Sequence, residues 1–415
     1  MEFNRSKFDD SELLEIYKKL LLPRLIEEKM LIYLRQGKIS KWFSGWGQEG
    51  ISVGSTYAMD EDEYILPMHR NLGVFTTRNI PLQRLFSQFQ GKANGFTKGR
   101  DRSFHFGSQE HRIVGMISHL GPQLGIADGI GLAEKLKKSK KSTLVFTGDG
   151  GASEGDFHEA LNVAAVWDLP VIFVVENNCW GLSTPSNEQY RFKHFVDKGI
   201  GYGMRAEQVD GNNILEVISA IRKAKEEQKE NTAPILLELM SFRMRGHEEA
   251  SGTKYYPEGL QDEWKEKDPV TSYTNFLKDE KILSQKLENE ITDQLKKEIT
   301  ESFDKANKET AIVPSINDEL EDVYCKHENA VTTPATKSTS EKRFIDAISE
   351  SLKESMTRYP DMVIMGQDIS DYGGVFKVTE GFVDEFGRER VRNTPLCESA
   401  IVGTALGLSI EGIKS

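Results

Sequence analysis

Two uninterrupted apolar runs organise the middle of the chain: Thr143-Leu-Val-Phe146 and Val171-Ile-Phe-Val-Val175. Neither alternates with polar residues, which is the pattern of strands covered on both faces in a parallel sheet. Each run ends in a small polar cluster, Gly148-Asp149-Gly150-Gly151 after the first and Glu176-Asn177-Asn178 after the second. The stretch between them has a helical pattern, with Ser153 and Asp156 placed to start it. Pro234-Ile-Leu-Leu-Glu-Leu239 reads as a further strand. Strands and helices alternating from Thr143 to Leu239 predict a doubly wound α/β domain. In such a domain ligands bind at the carboxyl ends of the strands, where both polar clusters fall.

Outside this domain the periodicity is helical. Leu13, Leu14, Tyr17, Leu20, Leu21 and Leu25 predict a helix over Ser11–Gln36, kinked at Pro23 and ended by Gly37. From Asn275 to Lys308 one amphipathic helix is expected, its stripe formed by Leu283, Leu287, Ile291, Leu295, Ile299 and Phe303. Lys326–Ser340 holds one β-branched aliphatic residue and no aromatic, and reads as a flexible linker. Beyond it come a helix at Phe344–Met356, a strand at Met362–Met365 and a helical pattern from Ala400 to Ile410. The organisation expected is therefore a domain over 1–325, a linker over 326–340 and the start of a second α/β domain over 341–415. At 415 − 340 = 75 residues that second domain reads as incomplete, too short to close a full sheet.

Composition narrows the chemistry. A net charge of −12 argues against nucleic acid as a partner. Cys179, Cys325 and Cys397 form no Cys-x-x-Cys pair, so neither a disulfide framework nor a cysteine zinc site is indicated. Met1–Asp10 has no signal-peptide core and no apolar run is long enough for a bilayer, so no membrane role and a cytoplasmic location are expected.

The chemistry concentrates in the two polar clusters. Asp149 and Asn178 stand 178 − 149 = 29 residues apart, one after each strand. A carboxylate and an amide oxygen, with glycines admitting close backbone approach, suit a hard cation bridged to phosphates. Gly-Asp-Gly alone also makes ordinary turns. Ser153 stands where a dinucleotide fingerprint needs its third glycine, which disfavours a nicotinamide site.

The spacing resembles the thiamine diphosphate motif of the decarboxylating components of 2-oxo acid dehydrogenases, in which Gly-Asp-Gly is followed by Asn-Asn. Further segments are similar to that family's alpha subunit: Gly47-Gln-Glu-Gly50, His69-Arg70, Gly99-Arg100 with His105, Gly121-Pro-Gln123, Val209-Asp-Gly211 and Arg243-Met-Arg-Gly-His247. Gly366-Gln-Asp368, Tyr372-Gly-Gly-Val375 and Thr394-Pro-Leu-Cys-Glu398 resemble the start of its beta subunit. The chain thus looks like an alpha subunit fused to the beginning of a beta subunit, with a doubly wound thiamine diphosphate-binding fold.

The resemblance implies roles for individual residues. Asp149 and Asn178 would hold magnesium through side-chain oxygens and Trp180 through its carbonyl, with Gly148, Gly150 and Gly151 lining the diphosphate. Arg70 would contact the diphosphate beside His69, which stands where the family more often has Tyr. Leu120 would prop the cofactor in its bent form. Glu398 would hydrogen-bond a pyrimidine nitrogen, and His247 would move a proton during transfer of the acyl group to a lipoylated acyltransferase. His105 is read as structural. A second copy of the chain, or beta-subunit sequence, would complete the site.

Two departures bear on regulation and substrate. Glu248-Glu249 follow His247 where many members carry a phosphorylated serine, so that switch is not expected. Glu176 precedes Asn-Asn as in pyruvate-using members, whereas a branched-chain 2-oxo acid is the favoured substrate; pyruvate or acetoin is the alternative. A non-catalytic scaffold or truncated fragment is the reading from another class.

Overall fold

In the computed structural model, residues 1–415 are described apart from 102, 117–119, 329–330, 332 and 334–337. The two apolar runs lie side by side as β2 (Thr143–Gly148) and β3 (Val171–Asn177), in a sheet that starts with the short β1 (Ile65–Leu66). A two-residue antiparallel ribbon follows, β4 (Trp180–Gly181) with β5 (Thr184–Pro185). The sheet is completed by β6 (Arg205–Asp210) and β7 (Ile235–Met240), in the order β1-β2-β3-β7-β6 with every neighbour parallel. Register pairs Thr143 with Val171 and Gly148 with Glu176. Both polar clusters therefore leave the same edge at the same height, and β2 and β3 are buried along nearly their whole length.

The helices around the sheet begin with α1 (Asp10–Arg35), capped by Asp9, whose carboxylate accepts from the Glu12 N–H. Pro23 lies inside α1, which runs unbroken through it. Then come α2 (Glu49–Tyr57), α3 (Pro122–Leu136) and α4 (Gly155–Trp167). Ser153 does not cap α4. It closes a single 3-10 turn over Gly151–Ser153, in which the Ser153 and Glu154 N–H groups bond the Gly150 and Gly151 carbonyls, and α4 starts two residues later. Asp156 does sit in the first turn of α4, where its charge faces the positive end of the helix dipole.

After α5 (Ile214–Glu230), the single helix expected over Asn275–Lys308 is instead two, α6 (Pro269–Asp279) and α7 (Gln285–Asn307). Lys281 takes a left-handed φ of 62°, and the N–H groups of Ile282 and Leu283 fold back onto the Leu277 carbonyl. Ser284 then restarts the helix by accepting from the Leu287 N–H. The apolar stripe survives the break: Leu283, Ile291, Ile299 and Phe303 are buried in the main core, with Leu287 and Leu295 packed at its margin.

The chain forms two compact units, residues 1–309 with 395–413 and 415, and residues 310–394 with 414. In the second, α8 (Phe344–Arg358) and the parallel pair β8 (Ile364–Gly366) and β9 (Val391–Asn393) enclose a small core of Met356, Phe382 and Val391. β8 starts two residues later than expected because the Met362 N–H closes a turn on the Tyr359 carbonyl. The described residues of 326–340 are exposed and carry no helix or strand.

The helix α9 (Glu398–Ile410) belongs to the first unit, where it lies along α3. Glycine decides how close the two come. A Cβ on Gly129 would stand 2.2 Å from the Thr404 carbonyl oxygen, and one on Gly407 would stand 2.1 Å from that of Ile126. Any side chain at either position would push the backbones apart.

Candidate active site

A cavity of about 950 Å³ opens at the carboxyl edge of the sheet, within the first unit. Its floor is the turn that leaves β2, with Gly148, Asp149, Gly150 and Gly151 all exposed to it. Asp149 is buried, and its Oδ2 has no hydrogen-bond partner. Burial pushes its carboxyl up to about 6, opposed by the N–H groups of Asp149 and Gly150 and by the charge of Arg243. A buried carboxylate oxygen without a partner is costly, and a cation reaching it from the cavity removes that cost.

The glycines beside Asp149 are there for space. A Cβ on Gly150 would lie 2.9 Å from Gly181 Cα, so the floor turn touches the β4 backbone directly. On Gly151 it would press on Thr147 Oγ1 at 2.8 Å and on Leu120 Cβ at 3.1 Å. Leu120 forms the lip of the cavity above Gly151, and its carbonyl accepts from the Gln123 side chain at 2.9 Å.

The strand β3 supplies the next wall. Asn177 Oδ1 accepts from the Cys179 N–H and Asn178 Oδ1 from the Trp180 N–H, each at 3.1 Å. These two successive turns, with Cys179 at a φ of 65°, swing the chain so that Trp180 faces the cavity beside Asn178. The Trp180 ring packs against Tyr255 and Tyr256. Asp149, Asn178 and the Trp180 carbonyl are oxygen donors of the kind a hard cation takes, although they are too few to fill its shell. Among the described residues no group of three or more His, Cys, Asp or Glu could hold a metal by itself. Oxygens of an anionic ligand would have to complete the set.

The opposite wall is cationic. Arg70 is buried and donates to the carbonyls of Ser44 at 2.7 Å and His247 at 3.0 Å. Arg243 is buried too, donating to the Leu182 carbonyl at 2.6 Å and to the Tyr255 hydroxyl at 2.8 Å. Neither forms an ion pair with a carboxylate among the described residues. Burial, reinforced by Arg243, lowers the Arg70 guanidinium to about 10. Two guanidinium groups held by neutral acceptors at one cavity make a receptor for a polyanion such as a diphosphate. His69 and His247 both stand against the Arg70 guanidinium, with ring centroids 5.6 Å apart. Burial and Arg70 push His69 well below its ordinary value, and burial, Arg70, Arg243 and Lys41 lower His247 to about 4. Both rings are thereby held toward the neutral form.

His69, Arg70, Leu120, Asn178, Trp180 and His247 therefore join the four floor residues around one cavity. Glu398 does not: it is exposed in the first turn of α9 and lies outside the lining. His105, read from the sequence as structural, lines the cavity. Arg243 and Glu176 also line it and were not singled out as site residues. Arg243 had a signal in the Arg-Met-Arg-Gly-His run it opens. Gln189, whose Oε1 lies against Gly181, had none.

Comparison with known proteins agrees with this geometry. The family described as "Dehydrogenase E1 component" matches residues 17–315, and that described as "Transketolase, pyrimidine binding domain" matches residues 340–414. Among curated relatives, the 2-oxoisovalerate dehydrogenase subunit alpha of Bacillus subtilis is 35% identical over 320 residues, covering 76% of this chain and 96% of the relative. The mitochondrial protein of the same name from Dictyostelium discoideum is 34% identical, over 77% of this chain and 73% of its own length. The human one is 30% identical, over 75% and 70%.

Proposed function

The chain belongs to the dehydrogenase E1 component family, and on that premise we propose that it decarboxylates a branched-chain 2-oxo acid with thiamine diphosphate and magnesium and passes the acyl group to a lipoylated acyltransferase. The family and the pyrimidine-binding match together imply thiamine diphosphate, which when bound supplies a nucleophilic carbon and a ring that accepts the electrons released with carbon dioxide. The observation that carries the reading is the unpartnered Asp149 oxygen at the end of β2, beside Asn178 at the end of β3 and opposite two guanidinium groups.

Within that site the residues divide the work. Asp149, Asn178 and the Trp180 carbonyl hold magnesium, and the Gly148–Gly151 turn lets the diphosphate approach the backbone. Arg70 and Arg243 balance its charge. Leu120, braced against Gly151, orients the cofactor from the lip. His247 sits at the cavity beside Arg70, where it would move a proton during acyl transfer. Glu398 is exposed at the start of α9, and we assign it to a cofactor completed by a second copy of the chain or by a beta chain. The names of the relatives favour 2-oxoisovalerate as substrate.

The test is a decarboxylation assay with an artificial electron acceptor, comparing 2-oxoisovalerate with pyruvate. A kcat/KM at least about tenfold higher for 2-oxoisovalerate is expected, the scale that a few methyl contacts supply. A preference for pyruvate would transfer the assignment to that substrate, in keeping with Glu176 before Asn-Asn.

A further inference from the structure

In the cavity wall a line of buried side chains runs between two backbone N–H groups, and its polarity is fixed from both ends. The Met68 N–H donates to Asn71 Oδ1 at 2.6 Å, and a backbone N–H can only donate. The Asn71 amide must therefore turn its Nδ2 outward, and it donates to Glu176 Oε1. At the other end the Trp180 N–H donates to Asn178 Oδ1 at 3.1 Å, which turns Asn178 Nδ2 toward Gln48 Oε1 at 3.5 Å. Gln48 in turn donates through Nε2 to Glu176 Oε2 at 3.0 Å. Asn71, Gln48, Glu176 and Asn178 are all buried. With the four side chains buried, a mismatch would leave a donor or an acceptor unpaired, so each group must offer what its neighbour lacks.

Donors converge on position 176 from both sides. Only a group that accepts at both ends satisfies them, and a carboxylate does so where an amide of the same shape cannot. We propose that Glu176 is a positioning residue for the cation site: by accepting from both Asn71 and Gln48, it fixes the Gln48 amide, which holds Asn178 with Oδ1 rather than Nδ2 toward Trp180 and the cavity. This rests on the assignment of Asn178 as a magnesium ligand made above. It also gives Gln48, which lies outside the cavity lining, a share in the site.

The consequence is specific to donor and acceptor order. In Glu176→Gln the new amide must present its oxygen to Asn71, whose orientation the Met68 N–H dictates. Its nitrogen then faces Gln48 and forces that amide to flip, so that a donor meets Asn178 Nδ2. Either Asn178 flips, presenting Nδ2 to the cation, or two donors abut in the wall. The double variant Gln48→Glu with Glu176→Gln restores the order: the amide at 176 donates to a carboxylate at 48, which accepts from Asn178. Charge and side-chain size are the same as in the parent.

The experiment is calorimetric titration of magnesium into the full chain in the presence of thiamine diphosphate, with melting temperatures of the cation-free proteins alongside. Glu176→Gln is expected to weaken magnesium binding by about tenfold, the loss of one well-placed interaction. The double swap is expected to bring it back to within about threefold of the parent, which a merely structural or electrostatic role for Glu176 would not do. Unchanged affinity in the single variant overturns the proposal, as does a swap that stays weak or does not fold. If Glu176→Gln itself does not fold, a folded swap with parental affinity supports the proposal. Asp149→Ala separates the two levels: a parent that binds no magnesium, or binds it equally after Asp149→Ala, removes the site assignment itself.

Discussion

Two parts of the first unit are built from glycines around a buried aspartate, and they use glycine in opposite ways. In the turn after β2, Gly148 leaves room in front of the cavity. Nothing lies nearer than 3.9 Å to a Cβ built on Gly148, and Gly150 and Gly151 let neighbouring segments close around an open cavity. Along α3 and α9, glycine removes room, with carbonyl oxygens 2.1–2.2 Å from the Cβ positions of Gly407 and Gly129. The aspartates differ in the same sense. Asp128 on α3 is fully buried with neither oxygen bonded among the described residues, and burial alone pushes it well above its ordinary range. Asp149 is raised only to about 6, because two N–H groups and Arg243 support its charge. Burial drives Asp128 toward its uncharged form inside a helix contact, whereas Asp149, raised less, faces a cavity. A glycine cluster marks a ligand site where it borders an ionised group with space in front of it, and a helix contact where it does not.

The largest effect should come from filling the helix contact. Gly407→Ala puts a methyl against a backbone carbonyl that cannot retreat without separating α3 from α9, and should cost about 3 kcal/mol or more in denaturant unfolding. A loss under about 1 kcal/mol would show the contact to be loose. Next, Asp149→Ala should weaken magnesium-dependent cofactor binding by about a hundredfold or more, the scale of deleting a charged ligand. The same variant should leave the cation-free melting temperature unchanged or raised, since it removes a buried carboxylate with one oxygen unpartnered.

Asp149 also predicts a pH dependence. Its carboxyl is harder to ionise in the fold than in the unfolded chain, so its contribution to cation-free stability is full below 3.8 and falls as pH rises through about 6. The drop is on the order of 2–3 kcal/mol, and Asp149→Asn should flatten that part of the profile. A slope unchanged by the substitution would assign the titration to other groups. The smallest effect is expected at Asp128→Asn: because burial favours the uncharged carboxyl there, the amide should change stability by about 1 kcal/mol or less. A severe loss would mean that Asp128 is ionised in the fold.

Much of this was legible in the chain, and the exceptions have physical causes. β2, β3 and the convergence of Asp149 with Asn178 follow from apolar runs whose ends share a register, because a parallel sheet leaves few other arrangements. The α6–α7 break was hidden because the stripe through Leu283 and Leu287 keeps its helical spacing across it, while the turn depends on Lys281 taking a left-handed conformation. Arg243 and Gln189 reach the cavity through loops, whose course no periodicity encodes. The Glu176–Gln48–Asn178 line is invisible to sequence because its members are separated by up to 130 residues and joined only by the fold. Glu398 shows the reverse case: a motif legible in the chain whose side chain lies outside the cavity its resemblance implies.

The central claim is that the edge formed by β2 and β3 holds thiamine diphosphate through a cation bound at Asp149. Calorimetric titration of thiamine diphosphate into the chain, once with magnesium and once with EDTA, tests it most directly. The account predicts saturable binding with magnesium that disappears in EDTA and is lost in Asp149→Ala. Binding that is the same in EDTA, or that survives Asp149→Ala unchanged, would contradict it.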